Sequence, residues 1–494
     1  MTTSANLIFI QSDNHNRQVT GCYGHAIVKT PTLDKLAARG VRFANSYSTS
    51  ALCCPARAAM ATGRFAHETG YWDNAIAYDA RVPSWMLRLR EQGHTVVGIG
   101  KLHYRGTVDA NGFSEEIIPM HLHEGQGAIK NLLRGYDAEP PLTDDSKWKL
   151  YTLRSRAGET HYQDYDRQIT AKAVEWLRAN STPYAKPWVL KIGYISPHPP
   201  FTVPQRLLDL YPENDMPLPV RYRPGDRPEH PSARHLREID GYHEMTDERM
   251  LRRVAAAYFG LITHLDEQIG VVMKVVEELG LLANTRVLYT SDHGELFGWQ
   301  GLFGKKNLYE GSVGVPLLMA GPGIPTGHVV KQLVSHVDLF PTAIANAGAQ
   351  LATVDRSLPG ISLFPAISGK ESARAVFAEY HAQASKTGQF MLRDGDLKLI
   401  YHVGMAPQVF DLAADPDETH DLVDEGRDAG RAKTLEAKLR AICDPEEVDR
   451  RAKADQRRMA EFWGGPDKLR GAEQIIFTPP PGVSSAEAWA IPKQ

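Results

Sequence analysis

Two apolar runs far apart in the chain, residues 6–13 and 285–292, each stop on an aspartate. A short apolar run without polar alternation suits a strand covered on both faces. Each run therefore carries a carboxylate, Asp13 or Asp292, to the carboxyl end of a buried strand. Helical and extended patterns alternate between them. Residues 30–40 read as a capped helix, with Thr30 before Pro31 at its start and Gly40 at its stop. Residues 41–48 are extended, 84–92 helical, and 94–101 form a strand that runs into charged residues. A helix at 170–180 and a strand at 188–195 repeat the unit. A long helix over about 247–281 precedes the second aspartate strand, and 313–319 supply one more strand. This alternation predicts an α/β fold, a large mostly parallel sheet sandwiched by helices.

At 494 residues the chain has room for two or three domains. The catalytic α/β domain is expected over residues 1–364. The pattern then changes to short extended runs at 375–380, 389–393 and 397–402, followed by an amphipathic helix near 431–442, so 365–475 read as a smaller C-terminal α+β domain. Residues 476–494 are a Pro-rich arm, either disordered or packed on a neighbour, which favours a homo-oligomer. Two polar stretches with little periodicity, about 107–159 and 204–244, suit loops around an active site.

A net charge of −3 without a basic run excludes nucleic acid as an expected partner, and attraction of an anionic substrate must come from locally placed cations. No segment has the apolar length to span a bilayer. The N-terminal residues lack the pattern of a signal peptide, and the four cysteines, two of them the adjacent Cys53 and Cys54, do not make a disulfide framework. The expected location is cytoplasmic.

Cys53 and Cys54 stand at the entrance of a helical segment, with Pro55 near its first turn and Arg57 one turn in. A helix N-terminus and a cation both favour negative charge there. Taken alone, the pair reads equally well as small buried hydrophobes. A thiolate phosphatase is excluded, because its phosphate loop needs an arginine at a fixed distance after the cysteine, where this chain has Ala59 and Met60. Asp13 and Asn14 end one strand, and Asp292 and His293 end another. In a parallel sheet such ends can converge on the crevice where substrates bind. Three oxygen donors and one imidazole would hold a hard divalent cation, the imidazole moving the preference from calcium toward manganese or magnesium.

The segment from Cys53 through Pro55 and Arg57 to Thr62, Gly63 and Arg64 resembles the signature of the formylglycine-dependent sulfatases, of the alkaline-phosphatase-like superfamily, with Ala56 where serine is common. The resemblance covers most of the chain. Ser291-Asp292-His293-Gly294 is similar to the family's second metal motif, Gly100-Lys101-Leu102-His103 to its G-K-x-H element, 196–201 around His198 to its H-x-P-F element, and 304–311 to a stretch in which Lys305 is the matching lysine. Asn74 is a further contact candidate for sulfate or leaving group, and His336-Val337-Asp338 matches a family stretch whose apolar setting points to structure.

The resemblance implies hydrolysis of an alkyl or aryl sulfate. Cys53, oxidised by a formylglycine-generating enzyme, becomes the hydrated aldehyde nucleophile and joins Asp13, Asn14, Asp292 and His293 in holding one divalent metal, Ca2+ or Mn2+ with Mg2+ also possible. Arg57 and the metal would favour the alkoxide, and Lys101, Lys305 and the metal would stabilise the sulfuryl oxygens. His198 would protonate the departing alcohol and His103 would deprotonate the remaining hydroxyl, so that a covalent sulfate hemiacetal collapses. Within the family the similarity leans toward choline-sulfatase-like and phosphonate-monoester-hydrolase-like members. The substrate is thus a small anionic ester, with a phosphonate monoester or phosphodiester as the alternative. A second alternative is an unmodified, catalytically silent binding protein. For a quaternary ammonium alcohol, residues 379–383 offer one acid and one aromatic ring, Glu379 and Tyr380.

Overall fold

The computed structural model describes residues 4–138, 151–181, 185–424, 426, 429–472 and 478–484. Its main sheet contains β1 (Asn6–Ser12), β2 (Gly40–Tyr47), β3 (Val96–Lys101), β4 (Glu115–Met120), β6 (Val189–Gly193), β8 (Thr285–Ser291), β9 (Leu317–Ala320) and β10 (His328–Ser335). They lie in the order β10-β2-β9-β8-β1-β6-β3-β4, while β5 (Arg156–Ala157) and β7 (Thr202–Val203) make a short parallel pair. In the main sheet β9 runs antiparallel to both neighbours and every other pairing is parallel.

Side chains alternate across a strand, and β1 uses this fully. Leu7 and Phe9 enter one layer, packed with Trp85 and Met86 of α1 (Trp85–Glu91) and with Phe340 and Ile344 of α2 (Leu339–Ala347). Ile8 and Ile10 enter the other, against Ile169 and Leu177 of α3 (His161–Ala179) and Leu265 and Ile269 of α4 (Glu248–Glu278). Each such side chain contributes about 1.5–3 kcal/mol by leaving water, so the two layers together fix the level of every strand end. The register then places the chemistry. Ser12 stands opposite Ser291 in the β1–β8 pair, so Asp13 and Asp292, each one residue further on, emerge side by side.

The elements differ from the sequence reading in several places. Helix α3 begins at His161 rather than at 170, because Thr160 and Gln163 form a reciprocal capping box. The segment 313–319 is split. Glu310–Val313 is a helical turn, and β9 starts only after Pro316, which has no N–H to give the ladder. The polar stretches contain β4 at the sheet edge and the helix Pro231–Asp240, while 139–150 lie outside the described residues. The helix Pro445–Phe462, capped by Asp444, lies beyond the one helix expected near 431–442, which is observed at Ala429–Arg440.

The C-terminal unit is an antiparallel sheet of β11 (Ala375–Tyr380), β12 (Gln389–Asp394), β13 (Leu397–His402) and β14 (Gln408–Asp411). Buried charge ties it to the rest of the molecule: Lys398 Nζ lies 3.0 Å from Glu310 Oε1 of the helical turn Glu310–Val313, and 2.7 Å from Glu418 Oε1 of its own unit. Gln456 Nε2 also donates to Asp73 Oδ2 at 2.7 Å and to the carbonyl of His381 at 2.8 Å. Residues 478–484 of the arm lie on their own chain, the Tyr162 hydroxyl donating to the Thr478 carbonyl at 2.9 Å. Among the described residues no helix is long and apolar enough to cross a membrane.

Candidate active site

The helix that carries the cysteines, Cys53–Thr62, follows an extended Leu52 that offers no side-chain cap. A helix start leaves backbone N–H groups without partners. Asn74 supplies one, its Oδ1 accepting from the Cys54 N–H at 3.0 Å. Asn74 thus reaches the cavity with its carbonyl oxygen committed to this cap. The helix stops at Gly63, where φ is 67° and a Cβ would come within 2.9 Å of Phe340 Cβ. The two thiols diverge. Cys54 Sγ turns to the His103 carbonyl at 3.5 Å, whereas Cys53 Sγ lies 3.2 Å from His293 Nε2, 3.8 Å from Asp13 Oδ1 and 3.6 Å from Lys305 Nζ. Burial, and then the Asp13 charge, push the Cys53 thiol up to about 11, so unmodified Cys53 is a neutral thiol near pH 7.

Asp13, Cys53, Asp292 and His293 are fully buried, and one ligand atom from each lies within 4.8 Å of all the others. His293 Nδ1 is 3.0 Å from the Gly294 carbonyl, which requires the proton on that nitrogen and leaves the Nε2 lone pair facing the two aspartates and Cys53. Arg57, with no exposed surface, donates from Nε to Asp292 Oδ2 at 2.8 Å, from Nη2 to Asp13 Oδ2 at 3.0 Å and from Nη1 to the Lys101 carbonyl at 2.7 Å. Lys101 Nζ adds a contact of 2.8 Å to Asp13 Oδ2. Burial pushes Asp13 up, but Lys101, His198 and Arg57 outweigh it and hold the carboxyl well below its ordinary range; burial and the neighbouring Asp13 push Asp292 up. Two carboxylates and an unprotonated imidazole, aligned by donors on their far sides, fit a hard divalent cation.

Arg57 faces the carboxylates rather than the nucleophile alone, so it orients the metal-ready oxygens. Asn14, expected among the metal ligands, holds φ 69° next to Asp13, donates from Nδ2 to Glu295 Oε2 at 2.6 Å and accepts from Lys305 Nζ at 2.7 Å on Oδ1. It ties Lys305 to the four-residue cluster.

The remaining candidates converge on the same place. A cavity of about 90 Å³ is lined by Cys53, Asn74, Lys101, His103, His198 and Lys305. Lys101 and His103 come from the end of β3, where His103 adopts φ 60° and its N–H donates to the Met120 carbonyl at 2.8 Å. His198 follows β6 on a turn held by Asp166 of α3, whose two oxygens accept the N–H groups of Ile195 and Ser196 at 2.8 and 3.1 Å. His198 Nδ1 is 2.7 Å from the Pro199 carbonyl, which fixes its proton on Nδ1. Burial, then Lys305 and Lys101 for His198 and Lys101 and Arg57 for His103, depress both imidazoles well below 6.5. His336 and Asp338 are buried away from the cavity lining, with Asp338 paired to Arg374 at 2.9 Å, as their apolar setting implied.

Sequence reading missed Glu295, which braces Asn14 and accepts from the Gly304 N–H beside Lys305, and the lining residues Tyr151, Tyr242 and Thr478. Glu295 was within reach, standing just after the Ser291–Gly294 motif. The others carried no local signal, because their place in the cavity depends on loops and on the C-terminal unit.

The fold and site together define an α/β ester hydrolase whose centre, at the carboxyl edge of the sheet, gathers a metal-ready cluster and an anion-receptive pair of lysines. The family model described as sulfatase matches residues 5–349, and one described as N-sulphoglucosamine sulphohydrolase, C-terminal, matches residues 298–444. Choline-sulfatase of Rhizobium meliloti (strain 1021) is 32% identical over 456 residues, covering 88% of this chain and 86% of that protein. Arylsulfatase K of Homo sapiens is 29% identical over 447 residues, covering 84% and 78%. The crystal structure of the phosphonate monoester hydrolase of Agrobacterium radiobacter is similar with a TM-score of 0.72 at 25% identity, covering 88% of this chain and 95% of that one. The chain belongs to the sulfatase family, and it is a sulfuric ester hydrolase.

Proposed function

We propose that this enzyme hydrolyses small sulfate esters through formylglycine made from Cys53, beside one divalent cation held by Asp13, Asp292 and His293. The observation that carries the reading is the divergence of the two thiols: Cys53 faces the carboxylates, His293 and Lys305, and Cys54 turns away. When present, the hydrated aldehyde would supply one hydroxyl to attack sulfur and a second whose proton passes to His103 as sulfate leaves, and the cation would supply Lewis acidity at the attacking oxygen.

The chain's own groups do the rest. Lys101 and Lys305 flank Cys53 and offset charge on the sulfuryl oxygens. Asn14 fixes Lys305, and Arg57 fixes the two aspartates. His198, with Nδ1 held by the Pro199 carbonyl, presents Nε2 for proton transfer to the leaving alcohol, and an anion bound between the lysines offsets the positive charge that depresses its imidazole. His198→Asn is therefore expected to lower kcat by about 10²–10⁴-fold for alkyl sulfates, whose alkoxides need a proton, and by much less for nitrophenyl sulfate. Equal losses on both substrates would remove His198 from that role.

The described lining favours an uncharged or anionic alcohol over a quaternary ammonium. It includes Lys101, Lys305 and Lys306, the last paired with Asp240, and no carboxylate. Glu379, the acid that residues 379–383 offered, is buried and bonded to the His67 N–H at 2.9 Å, to His67 Nδ1 at 3.0 Å and to His381 Nε2 at 2.9 Å.

The second reading, a phosphonate monoester or phosphodiester hydrolase, draws on the likeness to the Agrobacterium enzyme and on a site that would accept either tetrahedral anion. Peptide mass at Cys53, metal analysis for Mn2+, Ca2+ and Mg2+, and kcat/KM on an aryl sulfate against an aryl phosphonate test both. The expected result is the aldehyde at position 53, about one cation per chain, and preference for the sulfate. Preference for the phosphonate would install the second reading, and an unmodified cysteine with no turnover would install a silent binding protein. The reading also requires a formylglycine-generating enzyme in the host. The homo-oligomer is tested by light scattering on the purified chain.

A further inference from the structure

The arm that the sequence set apart as a Pro-rich tail reaches the centre of the molecule. Thr478 lines the same cavity as Cys53, Lys101 and His198, and its Oγ1 lies 3.1 Å from His103 Nε2. Among the described residues His103 Nδ1 has no hydrogen-bond partner, so the ring is oriented through Nε2 and Thr478. Thr478 is held in turn. Its carbonyl accepts from the hydroxyl of Tyr162, a residue in the first turn of α3 and fixed by the Thr160 cap, and the Tyr162 ring packs edge-on to His198 with centroids 6.1 Å apart. One tyrosine thus braces both imidazoles, His198 directly and His103 through the arm. The three prolines after Thr478, which have no N–H to satisfy, run along a groove lined by Arg105, Leu122 and Trp463.

We propose that Thr478 is a positioning residue of the active site: its Oγ1 accepts from the Nε2–H of His103, which leaves the lone pair of Nδ1 to take the proton, so that the C-terminal arm is part of the catalytic centre. The inference rests on the role given to His103 above. An imidazole free to rotate in a cavity meets the reacting hydroxyl in only a fraction of its orientations, and a hydrogen bond from a side chain itself tied to α3 removes that freedom.

Thr478→Val keeps the shape and removes the hydrogen bond, and Thr478→Ser keeps the hydroxyl. Two readouts apply. The first is turnover of nitrophenyl sulfate by the modified, metal-loaded enzyme. Valine is expected to lower kcat by about tenfold with KM little changed, and serine to restore it to within about twofold. The second needs no turnover: carbethoxylation of His103 by diethyl pyrocarbonate, followed by peptide mass in the unmodified chain. It is expected to quicken several-fold in the valine variant and to stay slow in the serine variant. Tyr162→Phe should move both readouts the same way, and the Tyr162→Phe/Thr478→Val double variant should do little more than valine alone. Equal labelling of His103 in wild type and Thr478→Val overturns the proposal, as does unchanged kcat in the valine variant. A wild-type enzyme inactive on every sulfate ester would instead overturn the functional reading, and the labelling would then decide this proposal alone.

Discussion

Cys53→Ser is expected to lower kcat toward aryl sulfates by on the order of 10⁵-fold or more, the scale reached when a covalent nucleophile is removed from a site whose other groups remain. A serine hydroxyl at this position can attack sulfur once, but it has no second hydroxyl on the same carbon. Release of sulfate must then wait for water to attack a hindered sulfate ester. One turnover's worth of phenol without a steady state is therefore the expected trace. Sustained multiple turnover in the serine variant would sink the formylglycine reading. The companion variant Cys54→Ser discriminates chemistry from packing, since the Cys54 thiol contacts the His103 backbone carbonyl and serine can make the same contact. Its kcat should stay close to wild type. Loss of activity in both variants with a falling Tm would mean that the helix Cys53–Thr62, buried along its whole length, had been disturbed instead.

The sequence made the strand ends legible because the signals there are local. An apolar run stopping on Asp13 or Asp292 needs no knowledge of what lies beside it, and the β1–β8 register then brought the two together. The same holds for Lys101 at the end of β3 and for Cys53 at a helix entrance. Side chains at these termini point where the element points. Asn14 shows where this logic stops. Its neighbour Asp13 continues the strand direction, but a left-handed φ at Asn14 turns its side chain to Glu295 and Lys305, and nothing in the local pattern forecasts a backbone inversion two residues past a strand. Asn74 was balanced between a turn amide and a ligand, and its carbonyl serves as a helix cap, a role visible only once Leu52 is seen to offer no cap of its own. Thr478 is the extreme case. It lies in a segment with no periodicity and meets His103 through tertiary packing alone, a contact separated by 375 positions in the chain.

Arg57→Met is expected to destabilise the metal-free protein by about 3–5 kcal/mol, the cost of taking one partner from a buried charge network and leaving the others unpaired. The geometry makes the loss two-sided. Three separate donor atoms of one guanidinium reach Asp13, Asp292 and the Lys101 carbonyl, and none of the four groups is exposed to water that could replace it. Lys101 still reaches Asp13 at 2.8 Å in the variant, so Asp292 bears most of the loss: its remaining donors are backbone N–H groups from Asn14 at 3.3 Å and His293 at 2.9 Å. Arg57→Lys should recover only part of the stability, because an ammonium group cannot span both carboxylates with the fixed fork of a guanidinium. Urea unfolding of wild type and both variants, with and without saturating Mn2+, reads these effects. A cation that binds the native cluster stabilises it in proportion to the logarithm of its concentration over its dissociation constant. If Arg57 orients the ligands, the two variants should gain less from the metal than wild type does, because their carboxylates no longer stand ready to receive it. An Arg57→Met variant as stable as wild type, or one that gains as much from the cation, would show that the aspartates hold their places without the guanidinium and would return Arg57 to a role at the nucleophile itself.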